Sequence, residues 1–211
     1  MSSPILFIFQ LVVLVFSVMV HEIAHGAIAL RLGDETAKRA GRLTLNPLKH
    51  IDLFGSIIVP LSLFLATGGG IVLGWAKPVP YNPFHLRNPK QGAGLIGAAG
   101  PVTNLALAIA FGIFARILFA LGVASAPLNL LLNIVIITNV SLAIFNLLPL
   151  PPLDGSSILF SLLPDSARGF MQFLSRYGIF VLLFFVFFGF QLIAPLILKV
   201  YALIAGPTAL F

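Results

Sequence analysis

Long apolar stretches separated by short polar connections make up most of the chain. The first covers residues 4–30, "PILFIFQLVVLVFSVMVHEIAHGAIAL", and ends in "RLGDETAKRAGR", where Gly33 and the charges stop the predicted helix. A second, 53–74, is broken by Pro60 and by Gly68, Gly69 and Gly70, and the polar stretch 75–91 follows it. A third covers about 93–122 and a fourth about 128–150, while a Phe-rich fifth covers 177–198 with an apolar tail to Phe211. Between the last two, "PPLDGSSILFSLLPDSARGFMQF" predicts a short helix at the membrane surface. Apolar runs near the ~20 residues needed to cross hydrocarbon therefore recur. The pattern predicts an all-α polytopic membrane protein with about four full transmembrane helices, plus the broken segment 53–74. With no repeat and no second domain in view, 1–211 reads as one membrane-embedded domain, its core about 4–160 and its C-terminal helix about 177–206.

Composition agrees with the pattern. The chain is 59% hydrophobic and 9% charged, and its mean hydropathy is +1.10. A soluble domain carries about a quarter charged residues, so this one lacks the means to cover a water-facing surface. There is no cysteine, which excludes disulfides and thiolate metal ligation. The net charge of +6 raises the question of nucleic acid, but the twelve Lys/Arg are scattered through short connections without a basic stripe. "MSSP" has no basic region and no small-residue cleavage site follows the apolar run, so the first segment reads as a retained helix rather than a signal peptide.

Charge placement bears on topology. Residues 31–49 carry Arg31, Lys38, Arg39, Arg42 and Lys49, and residues 77–90 carry Lys77, Arg87 and Lys90. If 53–74 crossed the bilayer, these stretches would lie on opposite faces, against the positive-inside tendency. A segment that dips in and returns puts both in the cytoplasm. Irregular backbone at membrane depth is tolerated where protein buries it or water reaches it, so the expectation is a re-entrant 53–74 with possible short β-strands.

The first helix carries chemistry. Residues four apart lie about 40° apart around a helix, so His21 and His25 can present two imidazole nitrogens to one ion. Glu22 projects about 100° from His21, near enough to touch a water on that ion without ligating it. This is the mechanical content of HExxH: two zinc ligands and a general base. An ionisable group at mid-bilayer is costly and points to function. A proton or ion pathway lined by the same His and Glu is the alternative.

A catalytic zinc site takes three protein ligands. Asp34, Glu35, Asp52 and His50 lie in the loop after the first helix and read as solvated polar groups, as does His85 in the next loop. Asp154 ends the fourth segment in "NLLPLPPLDGSS" and is either a turn aspartate before Gly155 or the missing ligand. A re-entrant 53–74 returns it to the side of the histidines; a spanning one strands it on the other face. Arg116, inside the third segment, either snorkels outward or pairs with a polar group.

"HEIAH" in one helix and "NLLPLPPLDG" in a later one resemble the site-2 proteases, the intramembrane zinc metalloproteases of peptidase family M50, in a compact form without PDZ or CBS domain. "GRLTLNPLKHID" and "GWAKPVPYNP" are similar to connecting segments of a compact branch. The resemblance covers roughly residues 15–160 and implies His21, His25 and Asp154 as ligands of one Zn²⁺ per chain, with Glu22 as base. It implies that Asn146 holds substrate or the oxyanion. "GAAGPVTN" resembles the family's third-helix motif, which implies substrate binding for Asn104. Unlike larger members, this sequence shows no helix before the HExxH helix.

The expected activity is zinc-dependent hydrolysis of peptide bonds in or near transmembrane segments. The rival classes are an ion or proton transporter and a catalytically inactive scaffold. The expected setting is the cell membrane, multi-pass, with the active site toward the cytoplasm. Expected partners are a transmembrane protein substrate and the lipid bilayer; a homo-oligomer is open, and no nucleic acid is expected.

Overall fold

A computed structural model describes residues 4–66 and 77–210. Helix α1 spans Pro4–Arg31, and the short α2 spans Thr36–Arg39. A π-helical turn, Phe54–Ile58, leads into α3, Val59–Ala66. The long α4, Pro89–Ala120, is followed by α5, Ala126–Asn146, and the short α6, Asp154–Leu162. Helix α7, Arg168–Phe184, continues through a π-helical turn into α8, Phe190–Ala205. Among the described residues, four helical runs are long and apolar enough to cross a membrane: α1, α4, α5 and Asp165–Thr208. The all-α expectation therefore holds, and no strand occurs among the described residues.

The ends of these helices follow local chemistry. Asn88 caps α4 by accepting the Gln91 amide, with Pro89 in its first turn. Gly122, at φ +69°, closes the far end of α4 in a conformation costly to any residue with a Cβ. Ser125 then caps α5 by accepting from the Leu128 amide. Pro60 does not break its segment. The backbone widens to π-helical hydrogen bonding just before it, and the helix carries on to Ala66. The strand expected within 53–74 is thus absent from 53–66, and residues 67–74 lie outside the described residues, as does Trp75.

Helix α4 is the hub, packing on α1, α5, α6 and α8. Ala108, Ala115, Ile136, Val140, Ile197 and Tyr201 form the main core between α4, α5 and α8. Arg116 turns out to be paired. Its guanidinium donates to the carbonyls of Leu203 and Ile204 (2.9 Å for the latter), where α8 ends and bare carbonyls carry partial negative charge. Helix α3 touches α1 where the Phe64 and Phe7 ring centroids lie 4.0 Å apart. The flanks of this segment meet: the Lys77 amide donates to the His50 carbonyl at 2.8 Å, and Arg42 donates to the Lys77 carbonyl at 2.7 Å.

Two polar groups expected in solvent are inside. His50 is buried and donates from Nε2 to the Thr44 carbonyl at 3.0 Å. Asp34 has no exposed surface. Its carboxylate gathers the Thr36 amide and hydroxyl, the Asn82 amide at 2.7 Å and His85 Nδ1 at 2.9 Å, clipping the 77–85 segment to the end of α1. Burial pushes the Asp34 carboxyl up, but the hydrogen bonds from Thr36, Asn82 and His85 outweigh it and hold the group at about 2. A carboxyl held below its unfolded value stabilises the fold above about pH 4, and that contribution drains away as pH falls from about 4 to about 2. It amounts to about 2 kcal/mol. Asp34→Asn should therefore lower the unfolding temperature in detergent at pH 7 and flatten the wild-type loss between pH 4 and 2. A variant as stable as wild type at pH 7 would rule out the clip.

Candidate metal centre

Helix α1 stacks His21 and His25 one turn apart, with ring centroids 4.6 Å apart and nearly perpendicular planes. Each ring is aimed by α4. His21 Nδ1 donates to Asn104 Oδ1 at 3.0 Å, and His25 Nδ1 donates to the Ile96 carbonyl at 2.6 Å. Both partners are acceptors, so each neutral ring carries its proton on Nδ1 and leaves Nε2 bare. The bare nitrogens lie 3.0 Å from each other. Asp154, first residue of α6, brings Oδ2 to 3.0 Å from His21 Nε2 and 3.3 Å from His25 Nε2. That oxygen is buried and no hydrogen-bond donor reaches it.

Three lone-pair atoms thus face one point, an arrangement that repels itself unless a cation sits there. Tetrahedral Zn²⁺ with bonds of about 2.0–2.1 Å places its ligand atoms about 3.3 Å apart. The triangle of 3.0, 3.0 and 3.3 Å fits that spacing. His21, His25 and Asp154 also form the one such cluster of possible metal ligands found among the described residues. The ring tethers have the form that metal-ligating histidines need, each second nitrogen fixed by an acceptor.

Room for the cluster comes from glycines on α4. At Gly94 an added Cβ would run into the Ser161 side chain, and at Gly97 it would meet the Asp154 carbonyl at 2.9 Å. At Gly100 it would lie 2.5 Å from His21 Nε2 and 2.6 Å from His25 Nε2. Spaced three apart, these glycines face α6 first and the imidazoles last. Gly155 presses on the Leu147 and Leu148 carbonyls, which seats Asp154 at the turn out of α5.

Glu22 Oε2 accepts the Val79 amide at 2.7 Å. Asn104 is fully buried behind His21, in contact with the ring it orients rather than with a surface. Asn146 is half-buried and donates from Nδ2 to the Leu142 carbonyl of its own helix at 2.9 Å. Three contributors went unread in the sequence: the Ile96 carbonyl, the Val79 amide, and Asn139, which donates to Ser17 at 3.0 Å one turn before His21. The glycine spacing in "GAGLIGAAGPVTN" was the available signal, since small residues at regular intervals mark close helix approach.

The orienting role of Asn104 has a measurable consequence. Loss of such a partner costs about 10–100-fold in metal affinity. Asn104→Leu should show that drop in a zinc competition titration; unchanged affinity would dismiss the tether.

Fold and site define a multi-pass membrane protein with a His, His, Asp centre of metal-binding geometry. The model for "Peptidase family M50" matches residues 9–126 and 122–189. The chain is 37% identical to "Putative zinc metalloprotease YwhC" of Bacillus subtilis (strain 168), over 94% of this chain and 93% of that protein. It is 30% identical to "Putative zinc metalloprotease MJ0611" of Methanocaldococcus jannaschii over 74% of this chain and 72% of that one. With "Putative zinc metalloprotease Rip2" of Mycolicibacterium smegmatis it shares 33% identity, over 66% of this chain and 51% of that one. No solved structure matches. The chain belongs to peptidase family M50, and so to the protease hydrolases.

Proposed function

We propose that this chain is an intramembrane zinc metalloendopeptidase that cuts peptide bonds in or beside transmembrane segments of membrane proteins. The observation that carries the reading is the meeting of two bare imidazole nitrogens and a donor-less carboxylate oxygen within 3.0–3.3 Å. Zn²⁺ held by His21, His25 and Asp154 would lower the pKa of a coordinated water to about 7 and polarise a peptide carbonyl. Glu22 takes a proton on its free oxygen and later gives it to the leaving amine. Its negative charge also balances the net +1 that two neutral imidazoles and one carboxylate leave on the dication. Asn146 keeps a second N–H after bonding Leu142, and we assign it to the substrate carbonyl or developing oxyanion. A helical substrate must unwind locally first, because its backbone groups otherwise bond each other.

Two features support a cytoplasmic-side site. The Lys77–His50 bond ties together the flanks of 53–74, as a re-entrant segment requires. Both basic connections then share one face, the cytoplasmic one by the positive-inside rule. The histidines lie about 9–15 Å from the Arg31 end of α1 by helical rise.

Purified protein should contain one zinc per chain and cleave a transmembrane peptide in vesicles, with a chelator stopping cleavage and zinc restoring it. Asp154→Ala should lose most of the metal. Cleavage indifferent to chelation, or proton flux through vesicles without hydrolysis, would overturn the proposal.

A further inference from the structure

A cavity of about 310 Å³ opens between the C-terminal end of α1 and the N-terminal end of α4. Arg31, Arg87 and Gln91 line it together with Leu32, Leu86 and Leu95. It lies beyond the His, His, Asp cluster, at the end of α1 where the chain leaves the apolar run, a place that suits the headgroup level of a bilayer crossed by α1.

The two guanidiniums have no carboxylate in the chain to pair with. All six acidic residues are among the described ones, and each is engaged elsewhere. Glu22 holds the Val79 amide, and Asp34 holds Thr36, Asn82 and His85. Glu35 pairs with Arg39, and Asp52 accepts the Gly55 amide. Asp154 faces the histidines, and Asp165 pairs with Lys90 and Arg168. The Asp34 clip also joins the two walls, since it follows Gly33 directly and binds His85, one residue before Leu86. The cavity is therefore a braced concavity rather than two loose side chains.

We infer that this cavity binds the phosphodiester headgroup of an anionic phospholipid. Arginine offers paired N–H donors that match phosphate oxygens, and Gln91 adds an amide. Leu95 lines the cavity, is 57% exposed on α4, and would give the acyl chains an apolar path out. The volume suits a headgroup and excludes a whole lipid, being at the lower end of ligand-pocket sizes. Basic pockets between helices on the cytoplasmic side have this recognition chemistry.

The test places wild type in nanodiscs of mixed phosphatidylglycerol and phosphatidylcholine and counts lipids retained in native mass spectra. Wild type should keep phosphatidylglycerol with about tenfold preference or more. Arg31→Gln/Arg87→Gln should bring the preference near parity, and Leu95→Trp, which fills the cavity at constant charge, should also reduce it. Lys38→Gln/Lys49→Gln removes equal charge from the neighbouring loop, leaves the Glu35–Arg39 pair intact, and should keep it. Zinc content should match wild type in all variants, showing that each is folded. Wild-type preference in the Arg31/Arg87 variant, an equal loss in the Lys38/Lys49 variant, or displacement of the lipid by millimolar inorganic phosphate would each overturn the inference.

Discussion

Glu22→Gln should leave one zinc per chain and slow peptide hydrolysis by about 10²–10⁴-fold, the range that a positioned acid–base group contributes. The two halves of that outcome have separate physical origins. On the proposed reading zinc stays, because the three candidate ligand atoms belong to His21, His25 and Asp154 and none to Glu22. The loop also stays, because the glutamine carbonyl oxygen can accept the Val79 amide as Oε2 does at 2.7 Å. What disappears is a proton acceptor, since an amide has no carboxylate basicity to offer. Glu22→Ala should differ, releasing Val79 as well. Elemental analysis beside cleavage of a transmembrane peptide reads both halves. Full-speed cleavage would remove Glu22 from the mechanism, and loss of zinc would make it a ligand.

The His, His, Asp cluster was legible because much of its information is short-ranged. The i, i+4 spacing of His21 and His25 fixes a shared face whatever the rest of the chain does, and the charge of the loops bears on which side Asp154 reaches. Burial of Asp34 and His50 was not legible. Both sit in a polar, charge-rich loop that looks solvated, and only the approach of residues 77–85 encloses them. Arg116 is a similar case: its partner carbonyls lie 87 and 88 residues away, at a helix end whose position no local pattern states. The helix at 54–66 was missed for a different reason. Pro60 reads as a breaker in sequence, whereas a π-helical turn, a backbone option that leaves no side-chain signature, absorbs it. For Asn104 the resemblance implies a substrate-binding position, and the geometry adds a partner that no sequence pattern names, the His21 ring.

Gly100 tests the centre from the backbone side, and Gly100→Ala should cost zinc affinity at least about 100-fold, with hydrolysis lost in parallel. The new Cβ would stand 2.5 Å from His21 Nε2 and 2.6 Å from His25 Nε2, far inside van der Waals contact. Neither ring can simply swing aside. Asn104 and Ile96, which hold them, lie on the same helix as Gly100, so relief breaks a tether or pushes α1 away from α4. Either movement opens the 3.0–3.3 Å triangle of ligand atoms, and each ligand lost from a three-residue site removes much of its affinity. Gly169→Ala is the matched control. No atom lies within 4 Å of its added Cβ, and in a helix alanine is favoured over glycine by about 1 kcal/mol. Zinc titration against a chromophoric chelator, with helicity and unfolding temperature measured alongside, separates site damage from misfolding. A folded Gly100→Ala protein binding zinc as tightly as wild type would mean that the imidazoles do not converge beside α4.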